Sequence, residues 1–211
     1  MENTTTIYLV RHGQTAANAG NVIQGQSDVP LDENGIQQAK LVGERLRKQH
    51  FDVILSSDLS RAKVTAAEIA GGREVIYDPE LREWDLGDWV GFNLDQIKEK
   101  FPEAMAAFQS GDPEAKVPGG ESRREFHDRA ARVTDRILTA YPGKTVLCVS
   151  HGGLLRAIFK NITGISAHSK MIRTDNTCFC GFRYFHSSLQ WQLLFWNDIS
   201  HLEGRASHGG W

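Results

Sequence analysis

Apolar positions recur along the chain in two rhythms. The continuous runs "TIYLV" (6–10), "FDVILSS" (51–57) and "TVLCVS" (145–150) read as strands buried on both faces. Between the first two, "LDENGIQQAKLVGERLRKQH" (31–50) carries Ile36, Ala39, Val42, Gly43 and Leu46 at helical spacing, and Asp32 is a suitable N-cap. "SDLSRAKVTAAEIAG" (57–71) predicts a second helix stopped by Gly71 and Gly72, and "EVIYD" (74–78) a third strand. From Trp84 to Gly120 the rhythm loosens, with one or two short helices expected over 93–111, broken at Pro102. Ser122 followed by Glu125 marks a capping box. The helix it opens places Phe126, Ala130, Val133, Ile137 and Tyr141 on one face. "HGGLLRAIFKNITG" (151–164) predicts another helix, and "TCFCGFRYF" and "LQWQLLFW", flanking "HSS", a hairpin.

Strand and helix alternate, and the strands are continuously apolar. That pattern predicts an α/β fold: three layers, a largely parallel central sheet and helices on both faces. No repeat or compositional break divides the 211 residues, so one domain is expected over 1–211, with a helical insertion at about 86–125 lying over the sheet and its active site.

The net charge of −2 argues against a general nucleic-acid binder while leaving room for a local positive pocket. Cys148, Cys178 and Cys180 form no disulfide framework and are read as packing residues. No signal peptide and no membrane-length apolar run is visible, so a cytoplasmic protein without membrane partners is expected. Nothing in the sequence specifies an oligomeric state. The final "GRASHGGW" is expected to be mobile.

Three of the apolar runs end in polar residues that could carry chemistry. "IYLV" delivers Arg11, His12 and Gly13; "DVILSS" delivers Ser56 and Ser57, with Arg61 just inside the next helix; "TVLCVS" delivers Ser150, His151, Gly152 and Gly153. Ligands of open parallel sheets bind beyond the carboxyl ends of the strands. Two guanidiniums, two imidazoles and free N–H groups at helix starts suit a phosphoryl group, and a histidine can attack phosphorus without a metal. Each histidine taken singly is more often structural. Glu83 in "LREWDLGDW" could act as a general acid, although a solvated loop carboxylate is the commoner outcome and Asp85 and Asp88 compete for the role. No Asp-x-Asp or His-Glu-x-x-His pattern occurs, so neither metal nor cofactor is expected.

The motifs "LVRHGQT", "IQGQSDVPL", "NGIQQA", "SSDLSRAKVTA", "LREWDLGDWVG", "PGGES", "VSHGGLLRA" and "SHLEG", with Asn18, occur in an order that resembles the histidine phosphatase superfamily, phosphoglycerate-mutase-like branch. The resemblance implies a phosphomonoesterase acting on a small phosphorylated metabolite. His12 would be the nucleophile. Arg11, Arg61 and His151 would hold the phosphoryl oxygens, and Glu83 would protonate the leaving group. Asn18, Gln24, Gly25 and Gly152 would line the substrate pocket. It further implies opposite charge states: His12 neutral, and His151 cationic under a bound dianion. Cofactor-dependent mutases of the family carry an "RHYG"-like sequence after the glutamate, where this chain has "EWDLG". That departure favours a phosphatase; mutase activity, or a ligand-binding protein without catalysis, are the alternatives. Arg123 and Arg124 could mimic the mutases' arginine pair but are expected on the solvated helix surface. The remaining histidines are assigned no role, and the five tryptophans are read as packing.

Overall fold

The computed structural model describes residues 3–169 and 172–202. The "GRASHGGW" tail with His208, and the end of "SHLEG", lie outside the described residues. The elements are β1 (Thr4–Arg11), α1 (Ala16–Ala19), α2 (Glu33–Leu46), β2 (Val53–Ser56), α3 (Ser60–Ala70), β3 (Ile76–Tyr77), α4 (Leu94–Lys100), α5 (Pro102–Ser110), α6 (Arg123–Ala140), β4 (Thr145–Ser150), α7 (Gly152–Thr163), β5 (Phe179–Phe185) and β6 (Gln190–Asp198). The sheet order is β3-β2-β4-β1-β5-β6. The first four strands are parallel; β5 pairs antiparallel with β1, and β6 pairs antiparallel with β5 to complete the expected hairpin.

Side chains alternate across the pleat and so divide the core into two. Ile7 and Leu9 face a cluster completed by Phe126, Val133 and Ile137 of α6 and Leu154, Leu155 and Ile158 of α7. Tyr8 and Val10 face the other side, where Val42 and Leu46 of α2 meet Ala62, Ala66 and Ile69 of α3. Right-handed crossovers explain the split: the chain moves β1→β2→β3 in one direction, then back to β4, so the two helix pairs fall on opposite faces.

Local chemistry sets the element boundaries. Asp32 accepts a hydrogen bond from Gly35 N at 2.7 Å, capping α2 as expected. Ser122 and Glu125 close a reciprocal box at the start of α6. Pro102 opens α5 after α4 has ended, which separates the loose stretch into two helices. Together with Ile23, Leu86, Trp89, Ile97, Met105 and Val117 they form a third, separate apolar cluster. The three cysteines are all buried in the α6/α7-facing core, as packing residues would be.

Candidate active site

β2, β4 and β1 are neighbours in the sheet, so the polar residues at their carboxyl ends converge. Arg11 is in register with Ser150. Arg11, His12, Arg61 and His151 are all buried, which requires their polar atoms to find partners. Arg11 donates from Nη1 to the Thr174 carbonyl at 2.7 Å. Arg61 donates from Nη1 to Ser27 O (2.6 Å), from Nη2 to Gly25 O (2.9 Å) and from Nε to His151 Nδ1 (3.3 Å). These contacts use three of its five N–H donors and fix both the guanidinium and the loop over 25–27. Burial lowers both arginines to about 10, so each remains a cation at neutral pH.

The two imidazoles lie 5.1 Å apart between ring centroids. His12 Nδ1 is 2.6 Å from the carbonyl of Gly13. A carbonyl can only accept, so Nδ1 carries the proton and Nε2 carries the lone pair. Burial, then Arg61 and Arg11, push the His12 pKa well below the ordinary histidine value, keeping the ring neutral. His151 differs from expectation. It is wholly buried behind His12 and is not among the residues lining the cavity. Its Nδ1 accepts from Arg61, so Nε2–H faces Ser57 Oγ at 2.8 Å. Burial, then Arg61, His12 and Arg11, hold this ring neutral too. The cationic state expected for it is opposed by the chain's own arginines.

Glu83 enters from the loop after a 3-10 turn over Pro79–Leu81. Its Oε1 accepts from Trp84 N (2.9 Å) and its Oε2 from Gly153 N (2.9 Å), which binds the loop to the start of α7. A Cβ at residue 153 would lie 2.0 Å from Oε1, so the approach requires glycine there. The loop is also held from α6. Buried Arg129 donates to the carbonyls of Glu80, Arg82 and Glu83 and forks onto both oxygens of Glu121 at 2.8 Å. Asp85 accepts from Gly87 N, Asp88 lies against Gly119, and neither lines the cavity, so the contest among the three acids falls to Glu83.

Arg11, His12, Asn18, Gln24, Gly25, Arg61, Glu83 and Gly152 line one cavity of about 1040 Å³. Asn18 is fixed by the Thr15 cap of the one-turn α1, and its Oδ1 also accepts from Asn176 at 3.3 Å. Gln24 accepts from Thr15 Oγ1 at 3.0 Å. One sequence expectation is corrected by the same cavity. Arg123 is not a solvated surface residue: its guanidinium lies over Trp84 and Phe108 and lines the wall, whereas Arg124 is exposed and pairs with Glu114. His168 lines the cavity, and Trp84 and Trp89 line it as well as pack.

Residues with no motif of their own complete the site. Thr174, Asp175, Asn176 and Thr177 are wholly buried; Thr174 holds Arg11 and Arg156, and Asn176 Nδ2 donates to His12 O at 3.1 Å. No periodicity announced this polar segment. Arg129 did leave a signal: it is a charge set among Phe126, Ala130 and Val133 in the apolar stripe of α6.

A family model described as the histidine phosphatase superfamily (branch 1) matches residues 7–199. The chain belongs to that superfamily. It is 40% identical over 204 residues to a metal-independent phosphoserine phosphatase from Arabidopsis thaliana, covering 94% of this chain and 83% of that protein. It is 38% identical over 208 residues to a probable phosphoglycerate mutase from Salmonella choleraesuis, covering 95% and 96% of the two chains. Among solved structures, a phosphoserine phosphatase mutant from Entamoeba histolytica in complex with phosphoserine superposes with a TM-score of 0.86 at 29% identity, over 94% of this chain and 99% of that one. That solved structure shares with the present chain the expected α/β fold.

Proposed function

We propose that this chain is a phosphatase of small phosphorylated metabolites that carries the phosphoryl group transiently on His12 Nε2. The observation that carries the reading is the Nδ1–H to Gly13 O contact, which leaves a neutral imidazole with its lone pair on the other nitrogen. In the first step Nε2 bonds to phosphorus, the P–O bond to the leaving group breaks, and Glu83 gives that oxygen a proton. In the second step a water gives its proton to the Glu83 carboxylate and attacks phosphorus. The P–N bond breaks, and inorganic phosphate and neutral His12 are released. Arg11 and Arg61, cationic and fixed beforehand, stabilise the charge on the equatorial oxygens, the largest single contribution in such transfers. His151 acts from behind, orienting Arg61 and buttressing the His12 ring. The whole chain is read as one domain of the cytosol, with the segment at about 86–125 as a wall of the substrate cavity.

The test is hydrolysis of p-nitrophenyl phosphate with and without EDTA, followed by trapping of labelled protein. We expect activity in both conditions and an acid-labile, alkali-stable label that is lost in His12→Ala. Label persisting in that variant would overturn the scheme. A mutase reading is favoured by one observation, the entry of Arg123 into the cavity wall. Bisphosphoglycerate-dependent exchange of phosphoglycerates would establish it in place of hydrolysis.

A further inference from the structure

We propose that Lys160 and Arg123, with Arg156 beside them, form a second anion site in the cavity, which takes a carboxylate or a second phosphoryl group carried by the same substrate. The inference rests on the phosphatase reading above and names the class of ester that site selects.

Gly152, Arg156 and Lys160 all line the cavity and follow one another four residues apart along α7. At 1.5 Å per residue, the Cα atoms of Arg156 and Lys160 lie about 6 and about 12 Å along the axis from Gly152, beside the phosphoryl site. Arg156 donates from Nη1 to Thr174 Oγ1 at 3.0 Å, beside Arg11, while Lys160 extends to the loop that follows the helix. Arg123, the first residue of α6, joins them at the wall. Its guanidinium lies 5.3 Å from the centroid of the Trp84 ring and 4.6 Å from that of Phe108. It donates from Nη2 to the Phe108 carbonyl at 3.2 Å, and its Nε is buried with no hydrogen-bond partner.

Backbone carbonyls, not carboxylates, hold Lys160 and Arg123. Lys160, only 9% exposed, donates from Nζ to the Ala167 carbonyl at 2.7 Å. Among the described residues no carboxylate is within salt-bridge distance of Lys160 or Arg123. Other arginines outside the phosphoryl site do pair with acids, as Arg45 does with Asp198 and Arg82 with Asp58. The acidic residue in the cavity lining, Glu83, is engaged by two backbone N–H groups. Positive charge withdrawn from water without a counter-charge is costly, and an incoming anion recovers that cost. The phosphoryl site already has Arg11 and Arg61, so this second set is redundant for a substrate with one anionic end.

The groups facing Lys160 are Arg156 on its own helix, Arg123 and His127 on α6, and His168 and the Ala167 carbonyl on the following loop. Burial, then Arg156 and Arg123, bring Lys160 down to about 8. Its charge is therefore present at neutral pH and lost as pH rises through that value.

The experiment compares esters of one carbon skeleton that differ in a terminal CH2OH or carboxylate: glycerol 3-phosphate against 3-phosphoglycerate, and sorbitol 6-phosphate against 6-phosphogluconate. The readout is the ratio of kcat/KM within each pair. We expect the acid to be preferred about tenfold or more in at least one pair at pH 7, with the ratio falling between pH 7 and 9. In Lys160→Met and in Arg123→Met the ratio collapses toward one, and in Lys160→Arg it is retained and no longer falls over that pH range. Thermal melting confirms that each variant is folded. A wild-type ratio near one in both pairs overturns the proposal, as does a uniform loss in Lys160→Met with the ratio unchanged. Failure to hydrolyse any of these esters or p-nitrophenyl phosphate brings down the phosphatase reading itself, a distinct outcome.

Discussion

At the scale of single residues, the site depends on protons being held at named atoms and on backbone clearances smaller than a methyl group. Gly153 shows the second. In Gly153→Ala the new Cβ would meet Glu83 Oε1 at 2.0 Å and drive the carboxyl group from its two N–H donors. The obstacle is the end of a flexible side chain, so the fold accommodates the change, and alanine favours the helix by up to about 1 kcal/mol. We expect kcat to fall about 100-fold or more, the usual contribution of a positioned acid, while the melting temperature holds or rises. Steady-state kinetics paired with calorimetry check both. The sequence exposed His12, Arg11 and Arg61 readily, because a buried apolar run that stops on charged residues is conspicuous. Glu83 was legible only through resemblance: it sits in a loop, where nothing periodic distinguishes it from Asp85 or Asp88. The depth of His151 was hidden, since a strand end does not reveal which of two adjacent rings lies in front.

At the scale of elements, the acid's loop is a passenger of α6. Arg129 reaches three successive stations of that loop, the carbonyls of residues 80, 82 and 83, and anchors itself on Glu121. Arg129→Met keeps the aliphatic bulk and removes every one of these donors. We expect a loss of about 2–3 kcal/mol in urea unfolding. A fall in kcat larger than that in 1/KM should accompany it, because Glu83 loses its orientation while the phosphate-binding arginines keep theirs. An unchanged kcat would show that the loop is held some other way. The helices and long strands followed from hydrophobic rhythm and caps such as Asp32 and Ser122. The short α1 did not, because one turn has no period to detect. The cavity face of α6 was misread because Arg123 at a helix start looks like any solvated charge until two aromatic rings are brought beside it from other segments.

At the scale of the whole molecule, two neutral imidazoles at the centre make stability depend on acidity. Both His12 and His151 have folded-state pKa values well below the ordinary 6.5, so below about pH 6.5 the unfolded chain binds protons that the native protein refuses. Stability from this source is complete above that pH and declines as pH falls, by about 1.4 kcal/mol per unit for each ring. Urea titrations should show stability falling between pH 7.5 and 5.5, and the fall should be smaller by about 1.4 kcal/mol in His151→Gln. The layered architecture was readable from alternation of strand and helix. The sheet order was not, because apolar runs carry no label of which neighbour they will take.

That order has a consequence during synthesis. β4 is inserted between β1 and β2, so the two earliest strands cannot hydrogen-bond to each other, and each keeps a bare flank until residue 145 has left the ribosome. A fragment ending at Gly143 should therefore precipitate or remain bound to a chaperone, and one ending at Gly164, in which β1 still lacks β5, should do so to a smaller extent, as sedimentation of in vitro translation products would show. About two-thirds of the protein must wait, unfinished, for the strand that joins its first two.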